Sequence, residues 1–204
     1  MQRTISIHSA AMPTLLGEAA LVISHLQGEE NLSELYSYTL TAVTPDNDAI
    51  SWQAASGINI KSFIGKQVTI ILQLDDHRPA GHSSSDVREI SGIVQQVRYV
   101  GRDENQAIYQ MILRPWLYLA ELTSDFRIFQ DKSVTDIIDQ ILAEYDFPCE
   151  KRLSAVYPVL EFQVQYGETD FSFIQRLMEE WGIYWFFEHA DRQHKLVMVD
   201  NPAA

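Results

Sequence analysis

The sequence predicts a mainly β chain: an N-terminal antiparallel β-barrel over 1–114, then a smaller α+β domain over 115–204. Three observations predict it. Six apolar or alternating segments follow one another before Pro115, with no long helical pattern between them. Behind Arg114-Pro115 the apolar residues recur at helical spacing instead. The hydrophobic share, 46% of 204 residues, is ample for buried cores.

The strands are read in order. Thr4–His8 alternates weakly. Ala20–Leu26 is apolar and rich in branched residues, and Leu35–Val43 has β-type composition with partial period-two alternation. Gln67–Leu74 is a buried-type run, and Glu89–Val100 and Ala107–Arg114 complete the set. The polar residues Gly101–Asn105 predict a hairpin turn between the last two. Asp75–Asp86, with Pro79, Gly81 and three serines, is expected to be a surface loop. In the second part, Pro115 can open a short helix over Trp116–Leu122. Ser133 and Asp136 have the spacing of a capping box, followed by Val134, Ile137, Ile138, Ile141 and Leu142 on one helical stripe. A strand is predicted over Val159–Tyr166. A second helix is predicted from Thr169 or Asp170, with stripe Phe173, Ile174, Leu177, Met178, Trp181 and with Gly182 at its C-terminus. Ile183–Phe187 and Lys195–Val199 should form a hairpin around His189–Gln193.

Charge narrows the partners. The formal net charge is −13 with no Lys/Arg cluster, which argues against nucleic-acid and anionic-membrane surfaces and suits a basic partner. The single cysteine, Cys149, excludes an intramolecular disulfide and fits a reducing compartment. Met1–Thr4 leads into the first alternating segment without an apolar stretch, unlike a Sec signal peptide. No run reaches the ~20 apolar residues of a membrane helix.

A search for chemistry returns no catalytic, cofactor or metal site. His77 and His82, beside Asp75 and Asp76, lie in the predicted loop, and His189 and His194 flank the last hairpin; no paired-cysteine or HExxH spacing joins them. Glu179 and Glu180, with Asp170 or Glu168 as second carboxylate, could suggest general acid/base work, but neighbours on a predicted helix point about 100° apart, so Glu179 and Glu180 cannot jointly flank one bond. Their expected role is solvation and pairing with Arg176. Cys149 has no histidine near it in sequence, and no Gly-x-Ser-x-Gly elbow occurs. The run Tyr184-Trp185-Phe186-Phe187 reads as a strand apolar on both faces, hence core or interface.

Two blocks carry a resemblance. Arg114-Pro115-Trp116-Leu117, followed by Ser124–Val134, is the first; Tyr166–Tyr184, continued by Phe186–His189, is the second. Gly28–Tyr36 and Phe63–Lys66 add shorter matches in order. Together they resemble the N-terminal hub region of the VgrG (valine–glycine repeat) family, the spike tips of type VI secretion. Trp181 departs from the acid common at that position, and Asp75–Asp86 is longer than members carry.

The resemblance implies a non-enzymatic, phage-tail-hub-like scaffold. It implies a homotrimer in the full-length protein, a hexameric Hcp tube stacked on it, and an oligonucleotide-binding-type domain, a needle and in some members effectors downstream. It implies assembly in the bacterial cytoplasm, then delivery out of the cell by contractile injection. Ending at Ala204, the chain reads as a fragment or a truncated copy. Two alternatives stay open: a baseplate hub of a contractile phage or prophage, and, from another class, a carbohydrate-binding or glycan-hydrolysing module suggested by the aromatic run and the acids.

Overall fold

The computed structural model describes residues 5–74 and 86–201. The expected loop Asp75–Asp86, with His77 and His82, lies but for Asp86 outside the described residues. The chain divides into two compact units. One holds the residues up to Glu29, Tyr36–Arg114 and His189–Gln193; the other holds Glu30–Leu35, Pro115–Glu188 and the residues from His194 on.

The first unit is an antiparallel half-barrel. Its strands are β1 (Ile5–His8), a small hairpin of β2 (Thr14–Leu15) and β3 (Glu18–Ala19), then β4 (Val22–Glu29) and β5 (Ser37–Val43). After a short helix α1 (Trp52–Ser56) and a 3₁₀ turn Ile60–Phe63 come β6 (Gln67–Leu74), β7 (Asp86–Asp103) and β8 (Gln106–Arg114). The main sheet runs in the order β1-β6-β7-β8-β5-β4, and its two end strands come within 8 Å, Cα to Cα. Alternation explains the core: Ala107, Tyr109, Met111 and Leu113 of β8 point inward beside Tyr38, Leu40 and Ala42 of β5. Curling needs local bends, and β7 supplies register shifts at Val94/Gln96 and Tyr99/Gly101. The predicted turn is tighter than Gly101–Asn105: β7 continues to Asp103, and Glu104 takes the left-handed turn position, φ 47°.

The second unit opens with a 3₁₀ helix, Trp116–Glu121, followed by β9 (Ser124–Ser133), α2 (Val134–Leu142), β10 (Cys149–Arg152), β11 (Val159–Thr169) and α3 (Asp170–Glu180). The last hairpin is β12 (Tyr184–Ala190) and β13 (Gln193–Val199). Both caps read from the sequence are present. Ser133 and Asp136 form the reciprocal capping box of α2, and the Thr169 hydroxyl accepts the Ser172 amide at the start of α3. Gly182 follows α3 with φ 69°. Asp191 and Arg192 turn the last hairpin with φ 51° and 58°, the double left-handed geometry of a two-residue turn. Two strands of this unit escape sequence reading, as does the small β2–β3 hairpin of the first. β9 pairs antiparallel with β11 as a separate two-stranded ribbon, and β10 joins β13 in parallel within a β10-β13-β12 sheet. Among the described residues no helix is long and apolar enough to cross a membrane.

Candidate interaction surface

The β9–β11 ribbon carries the most exposed apolar group of side chains in the second unit. Antiparallel register sets Phe126 opposite Tyr166, Ile128 opposite Val164 and Gln130 opposite Phe162. Side chains alternate along a strand, so these six share one face. Phe126 is 70% exposed, Ile128 70%, Phe162 61% and Tyr166 80%. The opposite face is core: Phe129 and Gln165 are buried, and the Phe129 ring stacks on Phe173 of α3 at 5.6 Å. The ribbon is therefore apolar on both sides, and only one side is covered within the unit.

The outward face is shaped locally. Phe126 and Tyr166 meet edge to face, centroids 5.2 Å apart. Gly167 follows with φ +68°, and a Cβ there would stand 3.0 Å from the Phe126 ring. Glycine both permits the left-handed turn and leaves room for that ring.

Beneath the ribbon sits a buried carboxylate. Asp170, the first residue of α3, is wholly inaccessible. Its Oδ2 accepts the Tyr145 hydroxyl at 2.7 Å, and its Oδ1 accepts Gln165 Nε2 at 2.7 Å. The Asp170 amide donates to the Thr123 carbonyl at 2.9 Å. Arg127 Nη2 lies 3.9 Å from the carboxylate, while the same guanidinium binds Asp125 and Glu144 at 2.7 Å each. A negative charge in the first turn of α3 also matches the helix dipole. Burial first, and the Asp170 carboxylate with it, push the Tyr145 hydroxyl up to about 12, so it remains a donor. The network joins β9, β11, α3 and the end of α2 around one group.

The other candidate residues are spent on structure. Glu179 accepts from Gln175 at 2.6 Å; Arg176 pairs with Glu168 at 2.6 Å and also feels the charge of Glu180, one of the two helical neighbours expected from spacing. His189 Nδ1 accepts the Ser91 amide at 3.0 Å, and His194 Nε2 accepts the Trp116 amide at 2.7 Å. No three metal-ligating side chains converge among the described residues. Desolvation, then the Asp139 charge, push the Cys149 thiol up to about 11, away from nucleophile chemistry. Trp185 is fully buried, with its indole N–H on Gln175 Oε1 at 2.7 Å, so it offers no face to a sugar; Tyr184 of the same run is 43% exposed. In the first unit an open cleft of ≈ 420 Å³ is lined by His8, Ser9, Lys66, Gln67, Thr69 and Arg192; Ser9 Oγ donates to the Gln67 carbonyl at 2.8 Å. The outward ribbon face was missed in the sequence because β9 was not read as a strand. The alternation of Phe126 and Ile128 with Arg127 was the available signal.

Residues 29–204 match the family described as phage tail baseplate hub. The chain belongs to this baseplate hub family. The hub chain is also 38% identical over 91% of its length to the type VI secretion system spike protein VgrG1c of Pseudomonas aeruginosa, and 36% identical over 91% to VgrG1a of the same organism. It spans about a quarter of those relatives, 23% and 26% of their lengths. Among solved structures, the hub chain resembles the E. coli c3393 protein, described as a type VI secretion component similar to the T4 tail proteins gp27 and gp5. The TM-score is 0.76 at 20% identity, covering 98% of this chain and 50% of that one. A 43 kDa tail protein of prophage MuSo2 from Shewanella oneidensis has a TM-score of 0.62 at 15% identity, covering 97% and 53%. These likenesses support the predicted fold class, mainly β and phage-tail-hub-like, and the family resemblance read from the two sequence blocks.

Proposed function

We propose that this hub chain is the N-terminal part of a type VI secretion spike, with 1–114 and 115–204 as its two domains, that adapts a homotrimer to a hexameric Hcp tube. The observation that carries the reading is the identity to VgrG spike proteins over nine-tenths of the chain. The chemistry agrees with a mechanical role: the ionisable groups described above are engaged in caps, ion pairs and buried networks. A rigid antiparallel half-barrel can present strand edges to a tube, and a trimer in which each full-length chain supplies two such surfaces would match six subunits. Needle and effector segments would follow in the full-length protein, and delivery would run through the injection machine rather than a Sec route.

The test is tube capping. Full-length protein mixed with assembled Hcp tubes should decorate one tube end in electron micrographs, and deleting its gene should abolish Hcp release. Undecorated tubes and unchanged Hcp release would overturn the reading. A second reading, the baseplate hub of a contractile prophage, is supported by the MuSo2 tail-protein likeness. Sheath and Hcp genes beside this gene favour the first reading; capsid and terminase genes favour the second.

A further inference from the structure

We propose that the cleft between the end of β1 and the entry to β6 binds a phosphate-type dianion, free or carried by a small molecule. The inference goes beyond the spike reading and stands whether or not the chain caps a tube.

Three distant segments of the first unit build the cleft. His8 and Ser9 come from the end of β1, Lys66, Gln67 and Thr69 from the entry to β6, and Arg192 from the last hairpin turn. β1 and β6 are sheet neighbours, with His8 opposite Thr69. The turn is held against them by its backbone. The Arg192 carbonyl accepts Gln67 Nε2 and, at 3.2 Å, the Thr69 hydroxyl; the Arg192 amide donates to Glu89 at 2.8 Å. At φ 58° Arg192 has a conformation that suits glycine, so these contacts hold a guanidinium where side chains are disfavoured.

Charge selects the ligand. In the second unit Arg127, Lys151, Arg152, Arg176 and Lys195 all pair with carboxylates. Lys66 and Arg192 are an exception to that pairing. Both are exposed and line one cleft, and neither side chain has an acidic partner among the described residues. Arg offers a planar fork to two phosphate oxygens, and Lys adds a point charge. Glu89 and Asp191 adjoin the turn, so the site favours a ligand that reaches both cations at once. The volume, ≈ 420 Å³, falls within the ~300–1,000 Å³ of small-molecule sites and leaves room for a group attached to the phosphate. A long polyanion is disfavoured, because it would lie across the surface of a chain carrying −13. A single phosphate is screened from acids farther than about 8 Å away. Bound there, the anion would tie β1, only four residues long, to β6 and the closing turn.

The test is an NMR titration of the intact chain with sodium phosphate at about pH 8, where phosphate is dianionic, with sodium chloride holding ionic strength constant. The backbone amides of Ser9, Lys66, Gln67 and Arg192 should shift together along one saturating curve, with Kd on the order of 1 mM or below. Arg192→Gly removes the guanidinium and suits the left-handed backbone, so it should fold at least as well as the parent. It should weaken binding about tenfold, the loss of one charge-assisted contact. Lys66→Gln should do the same, while Lys61→Gln, off the cleft, should bind like the parent. Glycerol phosphate distinguishes the source: tighter binding than inorganic phosphate assigns the site to an esterified small molecule, and equal or weaker binding assigns it to free phosphate. Shifts that do not saturate, shifts that chloride alone reproduces, or cleft variants that bind like the parent overturn the proposal.

Discussion

Asp170→Ala is the most informative perturbation of the second unit. The substitution removes an acceptor from two donors, the Tyr145 hydroxyl and Gln165 Nε2, each at 2.7 Å. A buried donor stranded in this way costs about 1–3 kcal/mol. Gln165 retains the Glu168 carbonyl at 3.1 Å, and Tyr145 is only half-buried, so both losses fall at the lower end. Losing a charge from the first helical turn adds ~0.3–1 kcal/mol. The expected total is about 3 kcal/mol, or roughly 12–24 °C in the melting of a unit this size. Tyr145→Phe alone should cost about 1 kcal/mol. In the Asp170→Ala background the same change should cost less, because the hydroxyl has already lost its Asp170 acceptor and keeps only its hydrogen bond with Thr123; the cycle should therefore show a coupling of up to about 1 kcal/mol. Urea unfolding followed by tryptophan fluorescence is the assay, since Trp116, Trp181 and Trp185 lie in the second unit and only Trp52 in the first. A loss below about 1 kcal/mol for Asp170→Ala, or an additive cycle, would refute the reasoning that this carboxylate organises the unit.

Three further outcomes are expected. Gly167→Ala should cost about 1–2 kcal/mol from its left-handed backbone and the crowded Phe126 ring; Gly182→Ala, at nearly the same φ with nothing within 4 Å, should cost less, and equal melting losses would remove the ring from the account. Cys149, though exposed, should react with iodoacetamide more slowly at neutral pH than an ordinary thiol, since desolvation and the Asp139 charge raise its pKa and lower its thiolate fraction; a normal rate would mean the thiol is not desolvated. Asp200 accepts the amides of Ser154 and Ala155, which with the Ser154 and Tyr157 hydroxyls hold its carboxyl down at about 2. A carboxylate lowered on folding stabilises above its unfolded pKa near 3.8, and that contribution disappears as pH falls through about 2. Asp200→Asn should therefore destabilise at pH 6 and lose most of that effect near pH 2; a pH-independent difference in melting temperature would contradict this.

Much of the architecture was legible because local rules coincided. Ser133 and Asp136 announce a helix whose cap forms as read, and Thr169 and Gly182 bracket the next one. The inward set of β8 is visible as alternation, Ala107, Tyr109, Met111, Leu113. The failures share a cause: the missing information was a long-range pairing. β10 is four residues, Cys149-Glu150-Lys151-Arg152, with no apolar pattern, and becomes a strand through its parallel ladder with β13. Its charges are satisfied across that sheet, where Arg152 bridges Glu150 and Glu188 at 2.7 Å each. β9 mixes Phe126, Ile128 and Phe129 with charges because one of its faces is packed and the other is not.

That distinction also separates the two aromatic clusters of the second unit. Hydrophobicity measures the tendency to leave water, not where the covering surface comes from. The run at 184–187 supplies Trp185 to the core of its own unit, whereas Phe126, Ile128, Phe162 and Tyr166 look outward although they are no more apolar. What separates them is parity within a paired ribbon: Phe129 and Gln165 are fixed inward by Phe173 and Asp170, so their neighbours at even positions must face out. A buried carboxylate that touches none of the exposed rings thus determines which rings are exposed. The determinants of this surface lie in the hydrogen bonds underneath it.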